Sequence, residues 1–301
     1  MPKKCTSAMV PSRPETRLTL RQRSSSLEAL RPADEDTLLG FLAEHEVLTT
    51  TQLVRLCGLP ERTVQHRLGQ LYRAGLISRS RPTATVGTSP YHCWLTSFGA
   101  DVIGASEQAR WGDDQAGMLG MAALNELWLA LRERGPELGL VMESWRRLRA
   151  PLPYYDSIAG AWRELRPEAE LVLRATAGAS LTLLLHCRLE TLPAARMATL
   201  VGRFHTYLAG QGSTSPRTVI AVLARTQALA QRTATASEEL TPRASIMRKD
   251  RHGEPSTARR VVVGLAARPT ELPSGQVWRR LTDPRWQTLA EVLTMATEGA
   301  P

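Results

Sequence analysis

Five residues in and around "ERTVQHRLGQ" are of types that meet DNA base edges, and they fall within nine positions of one another. Arg62 can fork onto guanine, Gln65 and Gln70 can pair with adenine, and Thr63 and His66 stand beside them. Arg73, Arg79 and Arg81 follow, where arginine suits phosphate oxygens that hold a protein on the duplex without carrying sequence information. The chemistry on offer is recognition of double-stranded DNA. Other chemistries lack their signatures. No GxSxG elbow, GxxxxGK[ST] loop or GxGxxG turn after a strand occurs. Cys5, Cys57, Cys93 and Cys187 form no CxxC pair, which argues against zinc. His186 and Cys187 are adjacent, and adjacent side chains on a strand point to opposite faces, so they make no catalytic dyad.

Positioning these residues takes a helix followed by a strand. With Val64 at the origin of a helical wheel, Leu68 and Leu71 fall beside it and pin the helix inward. Arg62, His66, Gly69 and Arg73 then share the opposite face, flanked by Thr63, Gln65 and Gln70. Glycine costs a helix roughly 1 kcal/mol against alanine. Gly69 therefore serves either a close approach to a backbone or neighbouring helix, or nothing at all. Pro60 starts this helix and Gly75 stops it. Upstream, Leu38, Leu39, Phe41, Leu42 and Val47 predict an amphipathic helix, and "TTTQ" a capping box from Thr49 to Gln52 before a short helix ended by Gly58. Downstream the period changes. Leu76, Ile77, Arg79 and Arg81 read as a strand, "PTATVGTSP" as a turn-rich connection, "YHCWLTS" as a second strand and "FGADVIGA" as a closing helix. Three helices and a two-stranded hairpin predict a winged helix-turn-helix over residues 32–108, its loop around Gly87 hanging beside an adjacent groove.

Residues 115–301 carry a different pattern. A long helix over Met118–Arg134 precedes apolar strands at "LVMESW", "AELVLRA" and "LTLLLHC". Then come helix "PAARMATLVGRFHTYLAG", strand "TVIAVLA", a helix near Arg225–Leu240, strand "RRVVVGLA" and a last helix from Pro284 to about Ala296. The order αβββαβαβα predicts an α/β domain on a mixed sheet, so the whole chain is α+β. Residues 241–260, with six basic residues against Asp250 and Glu254, read as an exposed basic loop. Trp162, Trp278 and Trp286 are expected in the core or at its rim, too spread to form a stacking platform.

The chain has 301 residues, which predicts two domains, and its 43% hydrophobic share excludes wholesale disorder. Lysine and arginine number 38 against 29 acids, a net charge of +9 that favours a polyanionic partner. Residues 1–31, with seven basic residues against Glu15 and Glu28, predict a basic disordered arm. No apolar run is long enough to span a bilayer, so a cytoplasmic protein with reduced thiols and no membrane partner is expected.

The stretch from Leu38 to Ala105 resembles the replication-relaxation family of actinobacterial and plasmid-associated proteins. The likeness rests on "LTTTQLVRLCGLPERTVQHRLGQLYRAGLISRSRP" and "GTSPYHCWLTSFGADVI", through "LT..QL", "R..RL..LY.AGL..R" and "Y...LT..G". It continues with gaps to about residue 280, where "LRPEAELVL", "LTLLLHCRLET" and "LVGRFHTYL" occupy the places of the family's later motifs. The element order there also resembles the PD-(D/E)xK nuclease core, in which clustered carboxylates hold a divalent metal and a lysine assists the attacking water. This chain departs from that pattern. Glu168 stands for the aspartate, His186 and Arg188 stand where acids belong, and Arg203 stands for the lysine, leaving Glu190 nearby on the face shared by His186 and Arg188. Cations at those places repel the ion such a site needs, so the resemblance implies a degenerate, restriction-endonuclease-like domain with no catalytic residues, metal or cofactor.

The expected function is sequence-selective, non-catalytic binding of duplex DNA in plasmid or mobile-element replication, transfer or transcription control. Arg62, Thr63, Gln65, His66 and Gln70 read bases, and Arg73, Arg79 and Arg81 hold the backbone. Two alternatives stand beside it: a metal-dependent nuclease using Glu168 and Glu190, and an adaptor for replication or conjugation proteins. Homodimerisation on two half-sites fits the winged-helix class, with no heptad to identify a seam.

Overall fold

The computed structural model describes residues 38–82, 89–105, 111, 114–157, 159–175, 180–187, 193–211, 217–224, 226–233, 235–236, 261–265, 275, 277–280 and 285–292. The N-terminal arm, the loop around Gly87, the 241–260 loop, Arg188 and Glu190 lie outside the described residues. The chain divides into two units, Met1–Asn125 and Glu126–Pro301, with the division inside the helix Gln115–Arg134.

In the first unit, leucines at helical spacing draw three helices around one core: α1 (Gly40–His45), α2 (Thr50–Cys57) and α3 (Glu61–Arg73). Leu38, Leu42, Leu53, Val64, Leu68 and Leu71 are its buried centre. The capping box at α2 is complete: Thr49 Oγ1 accepts from Gln52 N, and Gln52 Oε1 accepts from Thr49 N. Gly58 closes the same helix in the left-handed conformation at φ 62. Gln52 does more than cap. Its Nε2 donates to Ala122 O at 2.8 Å, while the fully buried Asn125 donates from Nδ2 to His45 O and Val47 O. These two amides satisfy backbone carbonyls that burial would otherwise leave unpaired.

β2 (Ile77–Ser80) and β3 (His92–Leu95) pair antiparallel, and α4 (Ser97–Val102) follows. The sheet has three strands rather than the expected two. β1 (Leu48–Thr49) joins β3 through Leu48↔Cys93 and Thr49↔His92, giving the order β1-β3-β2. Two residues are too few for alternation to betray a strand. Thr96 locks the turn between helix and sheet: its Oγ1 donates toward Gly75 O and Leu76 O at 2.7 and 3.1 Å and accepts from Gly99 N at 3.0 Å.

The helix α5 (Gln115–Arg134), whose later turns belong to the second unit, precedes a six-stranded mixed sheet. Its strands are β4 (Leu140–Arg147), β7 (Ala169–Ala175), β8 (Ser180–His186), β9 (Arg217–Ala224), β10 (Val261–Leu265) and β11 (Trp278–Arg280). The order is β11-β10-β9-β8-β7-β4; β4, β7 and β8 run antiparallel, while β8, β9 and β10 run parallel. The central strands are continuous apolar runs because both faces are covered, as Leu183, Leu184, Leu185 and Val219 to Leu223 are all buried. On one face lies α6 (Ala194–Gly210), presenting Met197, Val201, Phe204 and Leu208 at helical spacing.

A hairpin of β5 (Leu152–Asp156) and β6 (Ala161–Leu165) forms a separate two-stranded sheet beyond the expected elements. Tyr154 and Leu165 bury one of its faces in the α6 core, with Tyr154 edge-on to Tyr207 at 5.6 Å. Its other face is open, so apolar alternation is incomplete and the strands are hard to read. β11 was likewise missed, being only three residues long.

A Cβ at Gly99 would overlap the Leu76 carbonyl, whereas one at Gly40 would meet nothing within 4 Å. Gly99→Ala should therefore destabilise the first unit by about 2 kcal/mol or more through overpacking. Gly40→Ala should be neutral or stabilising by up to ~1 kcal/mol. Urea unfolding of both variants checks the contrast.

Candidate nucleic-acid interface

α3 separates its faces as the wheel predicts. Val64, Leu68 and Leu71 are buried, while Arg62, Gln65, His66, Gln70 and Arg73 are exposed and Thr63 is half-buried. Two of the polar side chains already bond within the helix. Gln65 Nε2 donates to Glu61 Oε1 at 2.8 Å, and Arg73 Nε donates to Gly69 O at 3.1 Å. Glu61 also places one acid at the start of a face otherwise rich in donors. At Gly69 a Cβ would meet nothing within 4 Å, so no neighbouring helix among the described residues requires glycine there.

Arg79 and Arg81 do not simply project outward. The Arg79 guanidinium lies 4.5 Å from the centroids of both Tyr72 and Tyr91, and that of Arg81 lies 4.0 Å from Tyr91. Each contact is a cation–π interaction worth about 0.5–1 kcal/mol at an exposed site. Sequence reasoning missed both tyrosines as partners. The strand register held the signal: with Ser80 opposite His92, the next pair outward is Arg81 and Tyr91. Beneath them Cys93 is fully enclosed, and burial pushes its thiol up to about 12, which leaves it unreactive.

The second group of expected site residues gathers only in part. Glu168, His186 and Arg203 line one cleft of the second unit. Glu168 Oε2 accepts from Cys187 N at 3.0 Å and stands 3.8 Å from His186 Nδ1. A carboxylate at that range favours a charged imidazole, yet burial outweighs it and lowers His186 to about 3. His186 is therefore neutral near pH 7, with its ring 4.7 Å from that of Phe204 and its buried Nε2 without a hydrogen-bond partner among the described residues. Among the described residues no three His, Cys, Asp or Glu cluster as metal ligands, and no helix is long and apolar enough to cross a membrane.

The tryptophans separate. Trp278 is fully buried and Trp286 packs against the core, as expected. Trp162 is 73% exposed and meets Tyr155, itself 51% exposed, at 5.7 Å, so the core-or-rim expectation fails for it. The register explains why: Tyr155 pairs with Trp162 on the face of the hairpin opposite Tyr154 and Leu165.

Because His186 binds its proton less readily folded than unfolded, stability should be greatest above pH 6.5 and decline as pH falls toward 3. His205, lowered by burial to about 4, acts in the same direction. Between pH 6.5 and about 5, before most carboxylates titrate, the urea midpoint should fall, and His186→Gln should flatten that slope.

A family model described as replication-relaxation matches residues 39–223. No curated protein and no solved structure matches the chain. The matched stretch runs from the start of the first helical core through the three-stranded sheet, α5 and α6 into β9, which is more than half of the chain. It includes Thr49 and Gln52 of the capping box, Thr96 and Gly99 of the locked turn, and every described residue singled out for DNA contact. On that match, the chain belongs to the replication-relaxation family.

Proposed function

We propose that the chain is a sequence-selective, non-catalytic binder of double-stranded DNA that serves replication, with plasmid or mobile-element transfer and transcription control as related settings. The observation that carries this reading is the exposed face of α3, where Arg62, Gln65, His66, Gln70 and Arg73 stand over a buried apolar stripe. A helix presented this way fits the major groove, and the order of three helices, two main strands and a closing helix supports a winged helix-turn-helix. In this reading Arg79 and Arg81 meet phosphates from a fixed platform of tyrosines, and Gly69 lets the helix approach the DNA backbone.

The second unit is read as a nuclease-like scaffold without nuclease chemistry. Its order α5, β4, β7, β8, α6, β9 supports the scaffold, with an antiparallel meander followed by a parallel strand across a helix. The residues present do not suit a divalent cation. Glu168 is engaged by a backbone N–H, His186 is buried and neutral, and Arg203 holds a positive charge at the same cleft.

A salt series of duplex binding tests the reading. Affinity should fall steeply with salt, and Arg62→Ala with His66→Ala should erase sequence preference at a cost of about 1–3 kcal/mol per base-reading contact. An absence of duplex binding at low salt would reject the recognition helix and bring the adaptor reading forward. Gly69→Ala separates folding from contact at one position. It should raise stability by up to ~1 kcal/mol while weakening duplex binding, measured by urea unfolding and fluorescence anisotropy. Unchanged binding in this variant would remove the backbone approach at Gly69 from the reading.

A further inference from the structure

The cleft that holds Glu168 and His186 has a volume of about 510 Å³ and features that the duplex-binding reading leaves unused. Residues 162–166 of and just beyond β6 line it consecutively. Side chains of a strand alternate, so a cleft reached by every residue in turn follows the strand's edge rather than one of its faces. That edge has no partner strand among the described residues, because the β5–β6 sheet has two strands. Arg203 of α6 and the neutral His186 also line the cleft.

The lining favours an anion. Arg163, Arg166 and Arg203 face two carboxylates, Glu164 and Glu168. Glu168 is turned inward, 14% exposed, with an oxygen accepting the Cys187 N–H. Arg166 pairs with Glu164 at 2.7 Å on the surface, and Arg163 reaches Asp156 only at 3.8 Å. Arg203 makes no ion pair among the described residues and is exposed. His186 is 2% exposed, and its Nε2 has no hydrogen-bond partner among the described residues. Guanidinium groups arranged as forks, with a neutral imidazole able to donate, match the oxygens of a phosphodiester.

Beside this charge stands an aromatic surface. Trp162 both lines the cleft and pairs with Tyr155, and the two are the most exposed large hydrophobic side chains among the described residues. Stacking rings next to a cationic groove are the combination that holds unpaired bases. A duplex keeps its base faces stacked inside the helix and cannot use such rings.

We propose that this cleft binds single-stranded DNA, with a phosphate at Arg203, Arg163 and Arg166 and bases stacked on Trp162 and Tyr155. The site goes beyond the duplex reader on α3 and does not depend on it. The test uses the full chain and a fluorescent oligothymidylate, with a duplex as second ligand. Trp162→Ala and Arg203→Glu should each weaken oligothymidylate binding by about tenfold or more, the scale of one lost base stack, while changing duplex binding less than twofold. Trp162→Phe, which keeps a ring, should restore most of the loss. The double variant Arg62→Ala, His66→Ala should leave oligothymidylate binding intact, so failure of the helix reading and failure of this site are separable. Both positions are exposed, and circular dichroism verifies that the variants fold. Unaltered oligothymidylate affinity in folded Trp162→Ala and Arg203→Glu would overturn the proposal. So would competition by free thymidine monophosphate as effective, per phosphate, as the oligonucleotide, since that would identify a nucleotide pocket instead.

Discussion

The first unit depends on what Thr96 holds together. Its hydroxyl proton is shared between the carbonyls of Gly75 and Leu76, its oxygen accepts from Gly99 N, and its own N–H donates to Leu76 O. One side chain thus joins the end of α3, the start of β2, the end of β3 and the first turn of α4. Gly75 stands at φ 73, a conformation that side chains resist, so the chain can reverse there at all. Gly99 has no side chain because the Leu76 carbonyl occupies that space. The "AGL" and "LT..G" stretches are two halves of one hydrogen-bonded corner. The angle at which α3 leaves the sheet follows from it, and with that angle the direction of every exposed side chain on the helix.

The parts of this fold legible in sequence are those whose causes are local. The capping box at Thr49 and Gln52, the glycine stop at Gly58 and the buried stripe of α3 all lie within one or two helical turns, so the residues that cause each feature are neighbours in the chain. The central strands β8 and β9 were equally plain, because burial on both faces writes an unbroken apolar run. What escaped was set by partners far away in sequence. β1 is a strand only because Cys93 and His92 lie across from it, and the β5–β6 hairpin only because α6 offers Phe204 and Tyr207 to one of its faces. Of the candidate site, the amphipathic division of α3 was readable, but the tyrosines under Arg79 and Arg81 were not, since a cation–π contact leaves no periodic trace. Trp162 misled for the opposite reason: a large aromatic residue is expected inside, and its strand neighbour Tyr155 gave no warning that this face is open.

Two buried polar arrangements differ in what they do. In the first, buried amides work for the backbone: Gln52 and Asn125 each donate to carbonyls more than sixty residues away, and both are almost wholly enclosed. In the second, His186 is a buried polar residue that burial keeps neutral, and its Nε2 has no hydrogen-bond partner among the described residues. The first arrangement stabilises the fold. The second carries the desolvation cost of a buried polar nitrogen.

The tyrosine sandwich around Arg79 has a consequence for the entropy of binding. A free arginine side chain carries about 2 kcal/mol of rotamer freedom, and an exposed one such as Arg62 surrenders part of it only when it grips something. Arg79, with aromatic rings at 4.5 Å on two sides, has given up much of that freedom when the chain folds. Any anion that reaches its guanidinium meets a group already at rest, so the ordering penalty falls on folding rather than on association. Loosening either tyrosine would move that penalty back to the moment of contact without removing a single charge.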